Sequence, residues 1–205
     1  MANHPTIEEI CNLALAKLGQ YSISYIYDNS EQARLCRMAL PLARRQVLRA
    51  HNWNFATRFA QLLPNSDSHA VKYPYAHDLP AKWIRHIRMW ADEERGAKAE
   101  RFNIAGQVVH SEYEHLYEEY IEDACDPNLW DVGFVECVAT LLAAKIAPGI
   151  TGSRRLGMEL QQEYLRTVLP DAITADSQDD RSNENNPTLE RLRESLYIQQ
   201  NQIID

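Results

Sequence analysis

Between Asp131 and Pro148 only Glu136 and Lys145 carry a charge. Val132, Val135, Val138, Ala139, Leu142 and Ile146 recur there three and four apart, and Phe134, Cys137 and Leu141 widen the stripe. A helix that is apolar over so much of its circumference has to be covered by other elements. The spacing therefore predicts the most buried helix of the fold, ended by Pro148-Gly149.

Three further helices are expected around it. Thr6 and Glu9 make a Thr-x-x-Glu capping box, in which each side chain satisfies a backbone N–H of the first turn. Ile7, Ile10, Cys11, Ala14, Leu15 and Leu18 follow at helical spacing, and Gly19 supplies the stop. A second helix from about Ser30 to Ala50 is capped by Asp28, Asn29 or Ser30. Ala33, Cys36, Leu40, Ala43, Val47 and Ala50 form its stripe, with Arg34, Arg37, Arg44, Arg45 and Arg49 largely off it. Pro41 removes a backbone donor, so a kink is expected there and not an end. Ser153 caps a last helix with Leu156, Leu160, Tyr164, Val168 and Leu169 on its inner side, and Pro170 is expected to stop it.

From Asn52 to Tyr120 the period changes. Arg58 to Leu63, Trp83 to Trp90, and Phe102 to Ile104 with Gln107 to His110 alternate or cluster as strands do. Ala105-Gly106 reads as a hairpin turn, where glycine takes a positive φ without penalty. The fold class expected is mainly α within α+β: a four-helix bundle core with a small antiparallel β insertion between the second and third helices, plus an extended C-terminal arm. The expected helices are about 6–18, 30–50, 131–147 and 153–169, with the β-rich insertion at about 52–120, all within one domain of residues 1–175.

Residues 176–205 read differently. Ser177 to Asn186 holds no apolar residue, so it cannot offset its ordering entropy by burial and is expected to be a flexible linker. Beyond it Leu189, Leu192, Leu196 and Ile203 or Ile204 form an apolar edge on a polar segment, the pattern of a partner-binding arm.

The 205 residues suffice for one domain with a real core, and 45% apolar with 24% charged residues is an ordinary globular balance. A net charge of -8 argues against a DNA-coating protein, which needs a basic surface that releases counterions, yet it suits a wall past which DNA slides. Cys11, Cys36, Cys125 and Cys137 are widely spaced and read as small reduced core residues. With no basic start followed by an apolar run, the chain is expected to be made and kept in a cytoplasm, without a membrane.

No constellation for chemistry stands out. Gly-x-Gly-x-x-Gly, phosphate-loop and Gly-x-Ser-x-Gly patterns are absent, and the chain has only seven glycines to build such loops. His110, Glu112 and His115 have a spacing that fits neither a helical turn nor one face of a strand, so no metal is expected. Glu118, Glu119, Glu122 and Asp123 offer carboxylates for glycoside acid–base work, but a solvated or channel-facing edge is the simpler reading. Tyr73, Tyr75, Trp83 and Trp90 lack the lysines of a base-stacking platform and read as sheet core and subunit contacts. No catalytic residue and no cofactor is expected. Trp53 and Phe55 are expected to anchor the hand-over from the long helix to the sheet region.

Several segments together resemble a known family. Lys17-Leu18-Gly19, the cap at Asp28 to Ser30, His51-Asn52-Trp53-Asn54-Phe55-Ala56, Tyr73-Pro74-Tyr75, Leu79-Pro80, Asp126-Pro127-Asn128-Leu129-Trp130-Asp131 with Phe134-Val135-Glu136, and Ile150-Thr151-Gly152 follow one another as in the tail tubular protein A family. These are phage head-to-tail adaptors, and the resemblance covers roughly residues 6–170. It implies a non-enzymatic virion protein of the neck, assembled in the host cytoplasm as a ring of about twelve copies. The implied partners are the portal protein, the tail nozzle or tube protein, other copies of the chain, and double-stranded DNA passing without sequence-specific binding. The alternatives from other classes are a tail-associated cell-wall hydrolase using Glu118 and Glu122, and a soluble helical regulator or chaperone.

Overall fold

A computed structural model describes residues 5–65, 72–91 and 98–184. Helices α1 (Ile7–Lys17), α2 (Glu31–Ala50), α3 (Val132–Thr151), α4 (Arg154–Glu163) and α5 (Leu169–Glu184) enclose the main core, and a π-helical segment, Tyr164–Val168, joins α4 to α5 in one continuous rod. Strands β1 (Thr57–Leu62), β2 (Tyr75–Asp78), β3 (Trp83–Trp90), β4 (Phe102–Ala105), β5 (Val108–Ser111) and β6 (Leu116–Glu122) lie between α2 and α3.

The local signals account for the helix starts. Thr6 Oγ1 accepts from the Glu9 N–H at 3.2 Å while Glu9 Oε2 accepts from the Thr6 N–H at 2.7 Å, so the capping box is closed. Ser30, Asp131 and Ser153 each accept from the backbone three residues on. α2 runs through Pro41 without ending, with Leu40 and Ala43 buried on either side of it. α3 is buried along most of its length, from Phe134 to Ala147. By length and composition it could cross a membrane, but 67% of its apolar window is covered by the protein itself.

Two stops read from the sequence do not hold. α3 continues past Pro148 to Thr151 and ends on Gly152 at φ 70, the left-handed position that favours glycine. Pro170 does not end the last helix either: it is the second residue of α5. The π turn just upstream widens the helix, with the Leu169 N–H reaching back to the Tyr164 carbonyl, and such a bulge accommodates a ring that a regular helix would reject. Helix therefore occupies Ser177 to Glu184, where the composition predicts a linker.

The β region also departs from expectation. It is no small insertion in a helical bundle but two three-stranded antiparallel sheets, ordered β1-β6-β3 and β2-β5-β4, so the chain is an α+β fold with six strands. A bridge between Pro64 and His77 connects the two sheets. A second core, of Leu62, Leu79, Met89, Ala99, Val109 and Leu116, draws on strands of both sheets and is separate from the helical one. The hairpin at Ala105-Gly106 forms as read, with Ala105 opposite Val108 and Gly106 at φ 65. β2 and β6 escaped notice: β2 is only four residues long, and β6 carries carboxylates where alternation predicts apolar groups.

Candidate functional site

Trp53 leaves the end of α2 fully buried, and its Nε1 donates to the Val47 carbonyl at 2.9 Å. Its ring meets Phe134 edge-on at 5.1 Å, and Phe55 and Trp130 meet the same Phe134 at 4.8 and 5.0 Å. Trp130 is pinned in turn by Nε1 donating to the Ala124 carbonyl at 3.0 Å. Edge-to-face rings add attraction beyond the area they bury. Segments 51–56 and 126–136, far apart in the chain, thus form one aromatic joint at which α2, β1 and α3 meet.

Within the acidic run Glu118 and Asp123 are buried, unlike the solvated or channel-facing edge expected, while Glu119 and Glu122 are half-buried. Asp123 is buried and takes Arg44 at 2.9 Å and Arg45 at 2.8 Å. Burial works against its charge, but the hydrogen bonds from Arg44 and then Arg45 outweigh it and hold the carboxyl below its usual range. Glu122 pairs with Arg58 at 3.0 Å and Lys82 at 3.8 Å. Glu118 lies in the interior, where Trp83 Nε1 donates to its Oε1 at 2.9 Å and His86 Nδ1 is 3.5 Å from the same oxygen. Glu118 and Glu122 are therefore engaged with different partners and do not face each other across a cleft.

The other candidates separate in space. Glu112 pairs with Arg101 at 3.0 Å, and among the described residues no group of three or more His, Cys, Asp or Glu side chains is placed to hold a metal ion. Trp83 turns to Glu118 and Trp90 lies 6.5 Å from Phe59, so the aromatic residues of the sheets make no single platform. Cys11, Cys36 and Cys137 are buried free thiols, whereas Cys125 is exposed and not a core residue. Burial pushes the Cys137 thiol up to about 12.

Two features lay outside the reading of the sequence. A groove of about 530 Å³ opens between the start of α1 and α2, lined by Ile7, Tyr25, Ile26, Tyr27, Leu40 and Pro41. Its loop is held by Asn12, which bonds both backbone groups of Ile23 at 2.8 and 3.0 Å, and by Arg37 Nη1 donating to the Ile26 carbonyl at 2.9 Å. Tyr25, Tyr27, Met38 and Leu42 are exposed near this groove and along α2. The alternating Tyr21, Tyr25 and Tyr27 between two helices were the available signal.

The second is Asp176, placed by composition at the start of a linker. It is 7% exposed, and its carboxylate lies 3.0 Å from His51 Nε2 and accepts from the Asn54 N–H at 3.3 Å. The partner-binding residues read from the sequence, Leu189, Leu192, Leu196, Ile203 and Ile204, lie outside the described residues. No protein-family model and no curated protein matches this chain.

Proposed function

We propose that this chain is a structural, non-enzymatic subunit of a virus particle, a head-to-tail adaptor of the tail tubular protein A type that forms a ring between portal and tail. The aromatic joint carries the reading. The motifs behind the resemblance are scattered along the sequence, yet His51–Ala56 and Asp126–Glu136 pack as one unit around Phe134. Residues that share such a joint have a common structural reason to occur together.

Further support comes from the exposed Tyr25, Tyr27, Met38 and Leu42, since aromatic and methionine side chains are favoured in protein–protein contacts. The ring holds about twelve copies, with the portal on one side and the nozzle or tube protein on the other, and DNA passes through without base-specific contact. No cofactor takes part. The segment beyond Glu184 serves as the arm that docks on the portal or a neighbouring copy. Co-sedimentation tests the reading: the purified chain should move with its cognate portal in a complex of megadalton order. A chain that stays at its own small mass in the presence of portal rejects it.

A further inference from the structure

Arg49, in the last turn of α2, and Arg85, on β3, come together where the helix crosses the first sheet. Arg49 Nη1 donates to the Ile84 carbonyl at 2.7 Å, and Arg85 Nη2 donates to Asn52 Oδ1. Both use neutral acceptors; among the described residues neither guanidinium has a carboxylate at ion-pair distance. Arg85 is half-buried and its Nε is buried without a hydrogen-bond partner. Burial first, and then the charge of Arg49, push Arg85 below the usual arginine range. Two like charges held together, one of them partly desolvated, are stabilised most directly by an oxyanion that both can bind.

The pair continues a basic strip of α2, in which Asp123 takes both Arg44 and Arg45. Four cations of the strip thus share one carboxylate. Outside the strip the chain's 29 acidic and 21 basic side chains leave 28 against 17, so the remainder of the chain carries a net negative charge. Such a surface repels a DNA duplex but attracts the strip of another copy. Face-to-face pairing would set one basic strip against another. Head-to-tail contact sets the strip against an acidic surface and, repeated with a closing rotation, makes a ring.

We propose that Arg49 and Arg85, with Asn52 beside them, form an oxyanion site that takes a surface carboxylate of a second copy of this chain in a head-to-tail contact. This deepens the ring proposed above and rests on it.

The test is analytical ultracentrifugation of the full chain at low and high salt, beside Arg49→Glu, Arg49→Glu with Arg85→Glu, and Arg155→Glu as a charge-matched control. Arg49 is exposed, so its single variant should keep the fold, checked by circular dichroism. The wild type and the control should self-associate at low salt and dissociate as salt rises. Arg49→Glu should weaken association on the order of tenfold or more. Association unchanged in Arg49→Glu, or a wild type monomeric at low salt, overturns the proposal. So does wild-type binding to a short DNA duplex that Arg49→Glu loses, which would assign the site to phosphate. Portal co-sedimentation is scored separately, so a monomer that still joins the portal refutes this site while leaving the adaptor reading standing.

Discussion

Asp176 and His51 lie 125 residues apart in the chain and 3.0 Å apart in space. Through this contact, and through Asn54, whose backbone N–H and side-chain amide reach the carboxylate and carbonyl of Asp176, α5 is fastened to the end of α2. The aromatic joint lies directly beside it, with His51 edge-on to Trp53 at 5.1 Å. The rod that leads to the C-terminal segment is therefore rooted in the same place that organises the helix-to-sheet hand-over.

Asp176→Ala should remove acceptors from the Asn54 N–H and the His51 ring. Leaving partly buried donors unpaired costs about 1 to 3 kcal/mol. Thermal unfolding should fall accordingly, and hydrogen exchange should quicken in α5 before the rest of the fold. Equal exchange in the two proteins would mean that the contact does not hold the helix.

Asp123→Asn tests the brace between α2 and β6. The Asp123 carboxyl is held below its ordinary value of 3.8, so the unfolded chain binds the proton first as pH falls. Its contribution is complete well above that value and is lost as pH drops through the folded-state pKa. At neutral pH the variant leaves Arg44 buried without its carboxylate, at a cost of about 3 to 5 kcal/mol. Denaturant unfolding should show that gap at pH 7 and a narrowing gap below pH 3.8. A constant gap across that range would contradict the ionic account.

Trp53→Ala should cost about 3 to 5 kcal/mol or prevent soluble expression, because the ring is fully buried among Phe55, Phe134 and His51. An unchanged melting temperature would show that the joint is not what holds α2 to α3.

Gly157→Ala probes the contact of α3 with α4. A Cβ at Gly157 would come within 2.9 Å of the Ala144 carbonyl oxygen, which belongs to a helix backbone and cannot swing aside. The strain should cost about 1 to 3 kcal/mol, read from the denaturation midpoint. Full stability would mean that the two helices separate easily.

What the sequence disclosed follows from the range of the forces involved. Thr6, Ser30 and Ser153 act on backbone groups three residues away, and Ala105-Gly106 closes a turn on itself, so all were legible. The long burial of α3 was legible too, since it depends only on composition at helical spacing. β6 was not, because Glu118 is made tolerable by Trp83, 35 residues earlier. Nor was the course of the last helix, which depends on a π turn absorbing Pro170 and on Asp176 finding His51 and Asn54. The Arg49–Arg85 pair and the tyrosine-lined groove exist only once distant segments meet. The role of the segment holding Leu189, Leu192 and Leu196 rests on the sequence pattern alone.

The most direct test of the adaptor account is electron microscopy of the full-length chain mixed with its purified cognate portal. The expected result is a closed ring of this chain seated coaxially on one end of the portal, with a continuous central channel. Portal particles that remain bare at saturating protein would contradict the account.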